Sequence, residues 1–222
     1  MRMIAENVSR TFFRKTGEAN YFFAVHPVTL ELDEGSVTVL TGRSGSGKTT
    51  LLNLLSGLLP PTEGRVLLGD TDLYALPDSA LSLLRSEKIG VVPQGRSAVD
   101  TRTVRENILL PALLYGKKPP EEEADRWMEE LGIASLRDAR PKELSGGELR
   151  RMAIARALSA GPEVLFADEP TGDLDDVNTA RVLEIFRAFA HEKNKAVFIV
   201  THDSEAVKIA DRTLRMDAGT VL

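Results

Sequence analysis

The chain has 222 residues, of which 42% are hydrophobic and 27% charged, and its formal net charge is −5. This length supports one large domain with a substantial core, and the acidic balance argues against a protein that wraps nucleic acid, because such binding needs a basic surface. The chain contains no cysteine, so it forms no disulfide bond.

The N-terminal residues 1–7 lack the apolar core of a signal peptide. No stretch reaches the roughly 20 apolar residues that a membrane-spanning helix needs. We therefore expect the protein to remain in the cytoplasm. If its task concerns a membrane, another protein has to provide the path across it.

Strand patterns come first along the chain. Val28, Leu30 and Leu32 alternate with polar residues, as in a half-exposed strand, and residues 3–13 are expected to pair nearby. These segments predict an antiparallel β unit ahead of the first motif.

A glycine-rich loop lies between a short apolar strand at residues 36–40 and a leucine-rich helix at residues 48–59. At such a turn, successive backbone N–H groups and the helix N-terminus form a cradle for a triphosphate. Lys48 is expected to reach the β and γ phosphates, and the Thr49 hydroxyl is expected to contact Mg²⁺. The predicted phosphate-binding residues are Gly42, Arg43, Ser44, Gly45, Ser46, Gly47, Lys48, Thr49 and Thr50.

The middle of the chain predicts short elements followed by a helical insertion. The short elements are strands at residues 66–68 and 89–92 and a helix at residues 78–85. Gln94 marks the passage from the core to the insertion, which continues to about residue 144. Its helices are predicted at residues 104–115, interrupted at Pro111, and at residues 120–131.

A second glycine-rich turn, at residues 144–148, opens a further helix. Gly146 and Gly147 leave free N–H groups and a helix dipole facing an anion. One loop is enough to hold a nucleotide, so we expect this second turn to have a separate function. On the helix that follows, we interpret Arg150, Arg151 and Arg156 as a solvated face.

Two carboxylates follow a buried strand predicted at residues 164–167. They lie where ligands bind in open α/β folds, at the carboxyl edge of the sheet. Asp168 is placed to hold a metal ion, and Glu169 to take the proton from a water attacking the γ phosphate. Another strand, at residues 196–201, ends at His202, which could hydrogen-bond that phosphate and water.

Together these residues resemble the nucleotide-binding subunit of an ATP-binding cassette (ABC) transporter. Six elements occur in the family's order: the loop at residues 42–49, Gln94, the signature turn at 144–148, the Asp168-Glu169 pair, residues 172–175 and His202. The resemblance implies one ATPase domain over residues 1–222. It would have an α/β P-loop NTPase core with a mostly parallel sheet, an N-terminal antiparallel β subdomain, and a helical subdomain over about 95–144 and the signature helix to about 160.

The resemblance also implies how ATP and Mg²⁺ are held. Ser145, Gly146 and Gly147 of one chain would bind the γ phosphate of ATP held by another, so that two chains form a homodimer around two ATP molecules. Asp175 would line the loop that communicates between the two sites. Gln94 would touch the metal or the attacking water when the insertion rotates inward. The implied metal ligands are Thr49, Gln94 and Asp168, and the implied catalytic residues are Glu169, His202, Lys48 and Gln94.

Three positions depart from the family's usual pattern. Glu148 stands where glutamine is more frequent, which puts a carboxylate near the start of the signature helix, but it lies beyond the glycines and should leave phosphate binding possible. Phe12 stands where a tyrosine commonly stacks on adenine; because stacking needs only a ring face, Phe12 can serve, with Phe13 or Tyr21 as alternatives. Asp173 replaces a small residue in the loop between the sites.

Within the family, the compact length and residues 19–32 and 170–175 resemble the subunits that serve lipoprotein release, macrolide and antimicrobial-peptide efflux, and cell division. This implies a Mg²⁺-dependent ATPase, peripheral on the inner face of the cell membrane, that drives the transmembrane permease of an exporter or a lipid- or peptide-extruding system. A regulatory ATPase of the same fold, acting on a membrane or cell-wall partner without transport, remains an alternative. A GTPase is disfavoured because residues 194–197 lack the aspartate that reads guanine, and a kinase leaves the signature turn unexplained.

Overall fold

The computed structural model describes residues 1–13 and 21–222, so residues 19 and 20 of the segment used for the subfamily resemblance lie outside the described residues. The strands are β1 (Met3–Phe13), β2 (Tyr21–Leu32), β3 (Ser36–Gly42), β4 (Glu63–Leu68), β5 (Thr71–Asp72), β6 (Ile89–Val92), β7 (Val164–Asp168), β8 (Ala196–Val200), β9 (Arg212–Asp217) and β10 (Thr220–Val221). The α-helices are α1 (Lys48–Leu55), α2 (Asp78–Lys88), α3 (Val104–Leu114), α4 (Glu121–Glu130), α5 (Gly146–Ser159), α6 (Asp176–Lys193) and α7 (Ser204–Lys208).

The larger sheet has the strand order β10-β9-β3-β8-β7-β6. Strand β3 pairs in parallel with β8 and β9, and β7 pairs in parallel with β6 and β8. Every residue of β7 and β8 is buried, as expected of central parallel strands that are covered on both faces. The predicted mostly parallel sheet is confirmed.

The parallel strands bring the sequence motifs to one edge of this sheet. Gly42 ends β3, Asp168 ends β7, and Thr201 directly follows β8. Because the carboxyl ends of parallel strands lie at the same edge, the loops after them face one crevice.

The smaller sheet has the order β2-β1-β4-β5, and its neighbouring strands are antiparallel. It therefore confirms the antiparallel β unit predicted ahead of the first motif. Met3 and Ala5 of β1 are fully buried, which fixes this central strand against the core.

The core has two parts, one on each face of the larger sheet, and successive residues of β8 point alternately into one part and the other. Val197 and Ile199 pack with α3, α4, α5 and α6, whereas Ala196, Phe198 and Val200 pack with α1 and the smaller sheet. This alternation follows from the two-residue period of a strand.

The predicted interruption at Pro111 is wrong, because α3 runs through this residue. The helix begins with a capping box between Thr103 and Glu106, and it buries Ile108 and Leu109 in the core formed with α5. The cap and the packing together outweigh the one backbone hydrogen bond that proline removes. The helix α6 had not been predicted, although Val182, Phe186 and Phe189 carry the spacing of a buried helical face.

The interpretation of the α5 arginines as a solvated face is also wrong. Arg150 is only 6% exposed. Each guanidinium donates to a backbone carbonyl of a neighbouring loop: Arg150 to Pro93, Arg151 to Leu131 and Arg156 to Ser97. Charge spacing on a helix could not reveal these loops, because they are distant in sequence.

None of the helices in residues 1–13 and 21–222 combines the length and the apolar character needed to cross a membrane.

Phe198 tests the packing of the central sheet. Its side chain is fully buried, and its ring centroid lies 5.9 Å from that of Phe166. We expect Phe198→Ala to lower the free energy of unfolding by about 3–5 kcal/mol, because it leaves a cavity beneath the strand. Urea unfolding followed by circular dichroism measures this. Val177→Ala on α6, at a side chain 79% exposed, should change it by less than about 0.5 kcal/mol, and equal losses would contradict the assigned core.

Candidate nucleotide-binding site

A cavity of about 1140 Å³ opens at the carboxyl edge of the larger sheet. It gathers residues from both ends of the chain and from the loops after β3, β6, β7 and β8. The predicted residues that line it are Phe12, Gly42, Arg43, Ser44, Gly45, Ser46, Gly47, Lys48, Thr49, Thr50, Gln94, Asp168, Glu169 and His202.

The glycine loop is held in shape from two sides. Gly47 has φ 105°, and a Cβ at this position would lie 2.2 Å from the carbonyl oxygen of Ala24 in β2. On the other side, the Gly219 N–H donates to the carbonyl oxygen of Ser46 at 2.9 Å, and Gly219 in turn accepts from the His26 N–H at 2.8 Å. The loop is therefore preformed, with no room for a side chain at Gly47.

Lys48 shows that the loop suits an anion. Its side-chain ammonium donates to the carbonyl oxygens of Gly42 and Arg43 at 2.8 and 3.0 Å, in a residue only 8% exposed. The buried Ser46 hydroxyl has no hydrogen-bond partner among the described residues. A nearly buried ammonium at the start of a helix, beside a hydroxyl left unsatisfied, fits a phosphate chain.

Thr49 and Asp168 form the part of the site that suits a divalent cation. The Thr49 hydroxyl donates to Asp168 Oδ2 at 2.7 Å. Burial raises the pKa of Asp168, and the neighbouring Glu169 carboxylate raises it further, while the Thr49 hydrogen bond and the Lys48 charge oppose the rise. A hydroxyl and a carboxylate oxygen beside a phosphate site are the hard ligands that Mg²⁺ takes.

Glu169 and His202 form a hydrogen-bonded pair at the same edge. Glu169 Oε1 lies 3.0 Å from His202 Nδ1, and Glu169 Oε2 accepts from the Thr201 hydroxyl at 2.9 Å. Glu169 also has φ 48°, a left-handed conformation that costs a non-glycine residue energy and is concentrated at functional sites. The carboxylate is thus fixed by two bonds and by its backbone.

The aromatic side of the cavity differs in part from the prediction. Phe12 lines the cavity, but the alternatives Phe13 and Tyr21 do not, and they are 52% and 70% exposed. Instead Phe22 and Phe23 join Phe12, with the Phe22 centroid 6.0 Å from that of Phe12. The pairing of β1 with β2, which sets Phe12 opposite Phe22, was the signal that could have found them.

The signature turn lies outside this cavity. Ser145, Gly146, Gly147 and Asp175 do not line it. Ser145 is the N-cap of α5, and Asp175 is the N-cap of α6, where it accepts from the Asn178 N–H at 2.8 Å. In a single chain, then, the two glycine-rich motifs do not meet at one nucleotide.

Glu148 belongs to the cap of the signature helix. Its Oε2 accepts from the Ser145 N–H at 2.7 Å and from the Ser145 hydroxyl at 2.8 Å. These two hydrogen bonds hold the pKa of Glu148 below its usual range. The carboxylate is therefore ionised at neutral pH and engages the hydroxyl expected to meet a phosphate.

A preformed glycine loop before a helix, a buried lysine above it and a threonine–aspartate pair beside it define a P-loop nucleoside triphosphatase. The chain belongs to the ABC transporter family, whose model matches residues 25–172.

Individual proteins of this family are similar over most of the chain. The lipoprotein-releasing system ATP-binding protein LolD of Aquifex aeolicus is 42% identical over 197 residues, covering 88% of this chain and 88% of that protein. The macrolide export ATP-binding/permease protein MacB of Rhodopirellula baltica is 41% identical over 198 residues, covering 87% of this chain but only 29% of that protein.

A solved ABC transporter cassette, MJ0796, has the same fold. Its dimeric structure superposes with a TM-score of 0.92, and its dimeric post-hydrolysis state bound to ADP and Pi superposes with 0.91. Both are 32% identical to this chain and cover 99% of it and 96% of the solved chain. The predicted family, the fold class and the Mg²⁺-dependent ATPase activity are confirmed by these comparisons.

Two loop glycines provide a matched test of the preformed cradle. Gly47→Ala should lower the free energy of unfolding by about 1–3 kcal/mol more than Gly45→Ala, because its Cβ would collide with Ala24. Gly45 has φ 77° with open space around it, so its alanine variant meets only the backbone penalty of about 1–2 kcal/mol. Thermal unfolding of both variants measures the difference, and equal losses would contradict the bracing by β2.

Proposed function

We propose that this chain is the ATP-driven motor subunit of an export or lipid- or peptide-extruding transporter, with each ATP bound and hydrolysed between two copies. One observation carries the proposal. The phosphate loop, the Asp168 carboxylate and the Glu169–His202 pair meet in one cavity, while the Ser145 turn of the same chain lies outside it. The chain thus provides two incomplete halves of a site.

Within one chain, the cavity holds the nucleotide. Phe12, with Phe22 and Phe23 beside it, offers ring faces to adenine, and residues 42–50 surround the phosphates. Lys48 moves its ammonium from the loop carbonyls to the β and γ phosphates. Thr49, Asp168 and Gln94 would hold Mg²⁺, which would supply positive charge beside the phosphates.

Glu169 prepares the water that attacks the γ phosphate. Thr201 and His202 each hold one oxygen of its carboxylate, so the group keeps one orientation. Glu169 accepts the proton of the water. His202 bonds Glu169 through Nδ1, so its Nε2, when protonated, donates to the γ phosphate.

The second copy completes the site. Its Ser145, Gly146 and Gly147 present the N-terminus of α5 to the γ phosphate, and its Asp175 lies in the loop between the sites. The dimeric state of the similar cassette MJ0796, and its post-hydrolysis state with ADP and Pi, support this arrangement.

The names of the similar proteins support a transmembrane permease as the partner, since MacB is an ATP-binding/permease protein and LolD belongs to a lipoprotein-releasing system. Leu113, Leu114 and Tyr115, at the end of α3, are 48%, 72% and 37% exposed and offer an apolar surface for it. We place the protein in the cytoplasm, peripheral on the inner face of the membrane. In this proposal residues 1–222 act as one ATPase domain, with residues from about 95 to 160 as its helical subdomain. The transport names of these relatives disfavour a purely regulatory ATPase.

Glu169→Gln tests the assigned base. The variant keeps the size of the side chain but cannot accept the proton, so we expect it to bind ATP, to hydrolyse it at least about 100-fold more slowly, and to accumulate a closed dimer. Phosphate release and size-exclusion chromatography with ATP measure both effects. Glu130→Gln on α4, whose carboxylate pairs with Arg126, is the matched control and should turn over normally. Full turnover by Glu169→Gln would refute the assignment.

Glu148→Gln tests the approach of the signature turn to a phosphate. The Glu148 carboxylate competes with the γ phosphate for the Ser145 hydroxyl and repels it, so its neutral form should ease closure. In the Glu169→Gln background, we expect the dimer to form at an ATP concentration about threefold to tenfold lower, as light scattering would show.

Glu143→Gln is the matched control for charge. Glu143 accepts from the Arg140 N–H at 2.7 Å in a similar cap just before the turn, but it does not contact Ser145. If both variants lowered the ATP concentration for dimer formation equally, the effect would come from net charge alone. That result would contradict the proposed contact between the signature turn and the phosphate.

A further inference from the structure

Three segments of the site converge on one buried side chain, that of Arg150 on α5. The residue is at the cavity wall, together with Gln94 from the loop after β6 and Asp173 from the loop after β7. The side chain of Arg150 extends from the signature helix and contacts both loops. Arg150 is not one of the six sequence elements that carry the family resemblance, so those elements assign it no role.

The contacts of Arg150 are directional. Its Nη1 donates to the carbonyl oxygen of Pro93, next to Gln94, at 2.7 Å. Its Nη2 lies 3.6 Å from Asp173 Oδ2, and the two side chains are 5% and 59% exposed. One planar guanidinium therefore spans the end of β6 and the loop that begins at Glu169.

The same loop lies against the signature turn. A Cβ at Gly147 would be 3.0 Å from the carbonyl oxygen of Asp173, and one at Gly146 would be 3.6 Å from the Asp173 Cβ. The absence of a side chain at Gly147 lets the loop approach this closely, whereas a Cβ at Gly146 would make only an ordinary contact. The Arg150–Asp173 ion pair then closes the contact from the side of the cavity.

Because the Arg150 guanidinium is buried, loss of this contact should destabilise the arrangement of the loops around it. A charge withdrawn from water needs partners, so the position of Arg150 is sensitive to Asp173 and to the Pro93 carbonyl. Displacing either loop leaves the cation poorly compensated. The three segments consequently favour one relative arrangement.

We propose that the Arg150–Asp173 ion pair is a positioning link that ties the signature turn to the Gln94 and Glu169 loops of the same chain. This inference rests on the proposed function, in which the signature turn serves the partner's ATP while Gln94 and Glu169 serve the chain's own. The link therefore connects one site of the dimer to the other. Its loss affects the catalytic step and leaves the binding of ATP to the single chain unchanged.

A double-mutant cycle tests the link with Arg150→Gln, Asp173→Asn and the combined variant. Phosphate release gives kcat and KM, and titration of the isolated chain with a fluorescent ATP analogue gives its affinity. We expect each single variant to lower kcat by roughly 3- to 30-fold and to change KM and the affinity by less than about twofold. The combined variant should be no slower than the slower single variant, because both remove the same contact. Arg150→Lys should recover only part of the rate, since a point charge cannot span both partners.

The ion pair of Arg105 with Asp125, which joins α3 to α4 with a 3.0 Å contact, is the matched control. Neither of its residues lines the cavity. Arg105→Gln and Asp125→Asn should leave kcat within about twofold of the unmodified chain, as expected for a distant surface pair. Thermal unfolding of every variant separates a loss of rate from a loss of fold.

Losses of kcat that multiply in the combined variant would overturn the inference, as would unchanged kcat in both single variants or losses confined to KM. Should Arg150→Gln fail to fold, Arg150→Lys with Asp173→Asn forms the same cycle. Glu169→Gln, measured in parallel, distinguishes the two proposals. If it retains turnover, the proposed function fails; if it blocks turnover while the cycle is multiplicative, only the link fails.

Discussion

The hydrogen bond between the Thr49 hydroxyl and Asp168 depends on the parallel arrangement of the whole sheet. The two residues lie 119 positions apart, and they meet only because β3 and β7 flank β8 with their carboxyl ends aligned. The same alignment brings His202 to Glu169 from the end of β8. Without the parallel order, the loop could still bind an anion, but neither the Asp168 carboxylate nor the Glu169 base would lie beside it.

The sequence analysis predicted the motifs that chemistry restricts most. Glycines before a lysine, and carboxylates after an apolar strand, admit few other interpretations. Phe22 and Phe23 were missed because their place at the cavity depends on the pairing of β1 with β2. Arg150 was misread for a related reason: its partners lie in loops that only the fold brings close. Pro111 shows packing overriding a local signal.

The departures from the family pattern at Glu148 and Asp173 act on different parts of the molecule. Glu148 is engaged within the turn, where it bonds to Ser145 and adds a negative charge at the helix start. Asp173, although 59% exposed, lies 3.6 Å from the Arg150 guanidinium and joins the turn to the loop after β7. Glu148 changes the charge and the hydroxyl contact that a phosphate encounters at the turn. Asp173 changes which loop is linked to the turn through Arg150. Both leave the phosphate loop untouched.

The turn at Gly219 has a consequence for how the protein is made. Because Gly219 bonds to Ser46 and to His26, the phosphate loop gains its second brace only when the hairpin of β9 and β10 has formed. During synthesis that hairpin leaves the ribosome long after the loop itself, because more than 150 residues separate them in the chain. A chain in which this hairpin has not yet folded consequently carries a phosphate loop supported from the β2 side alone.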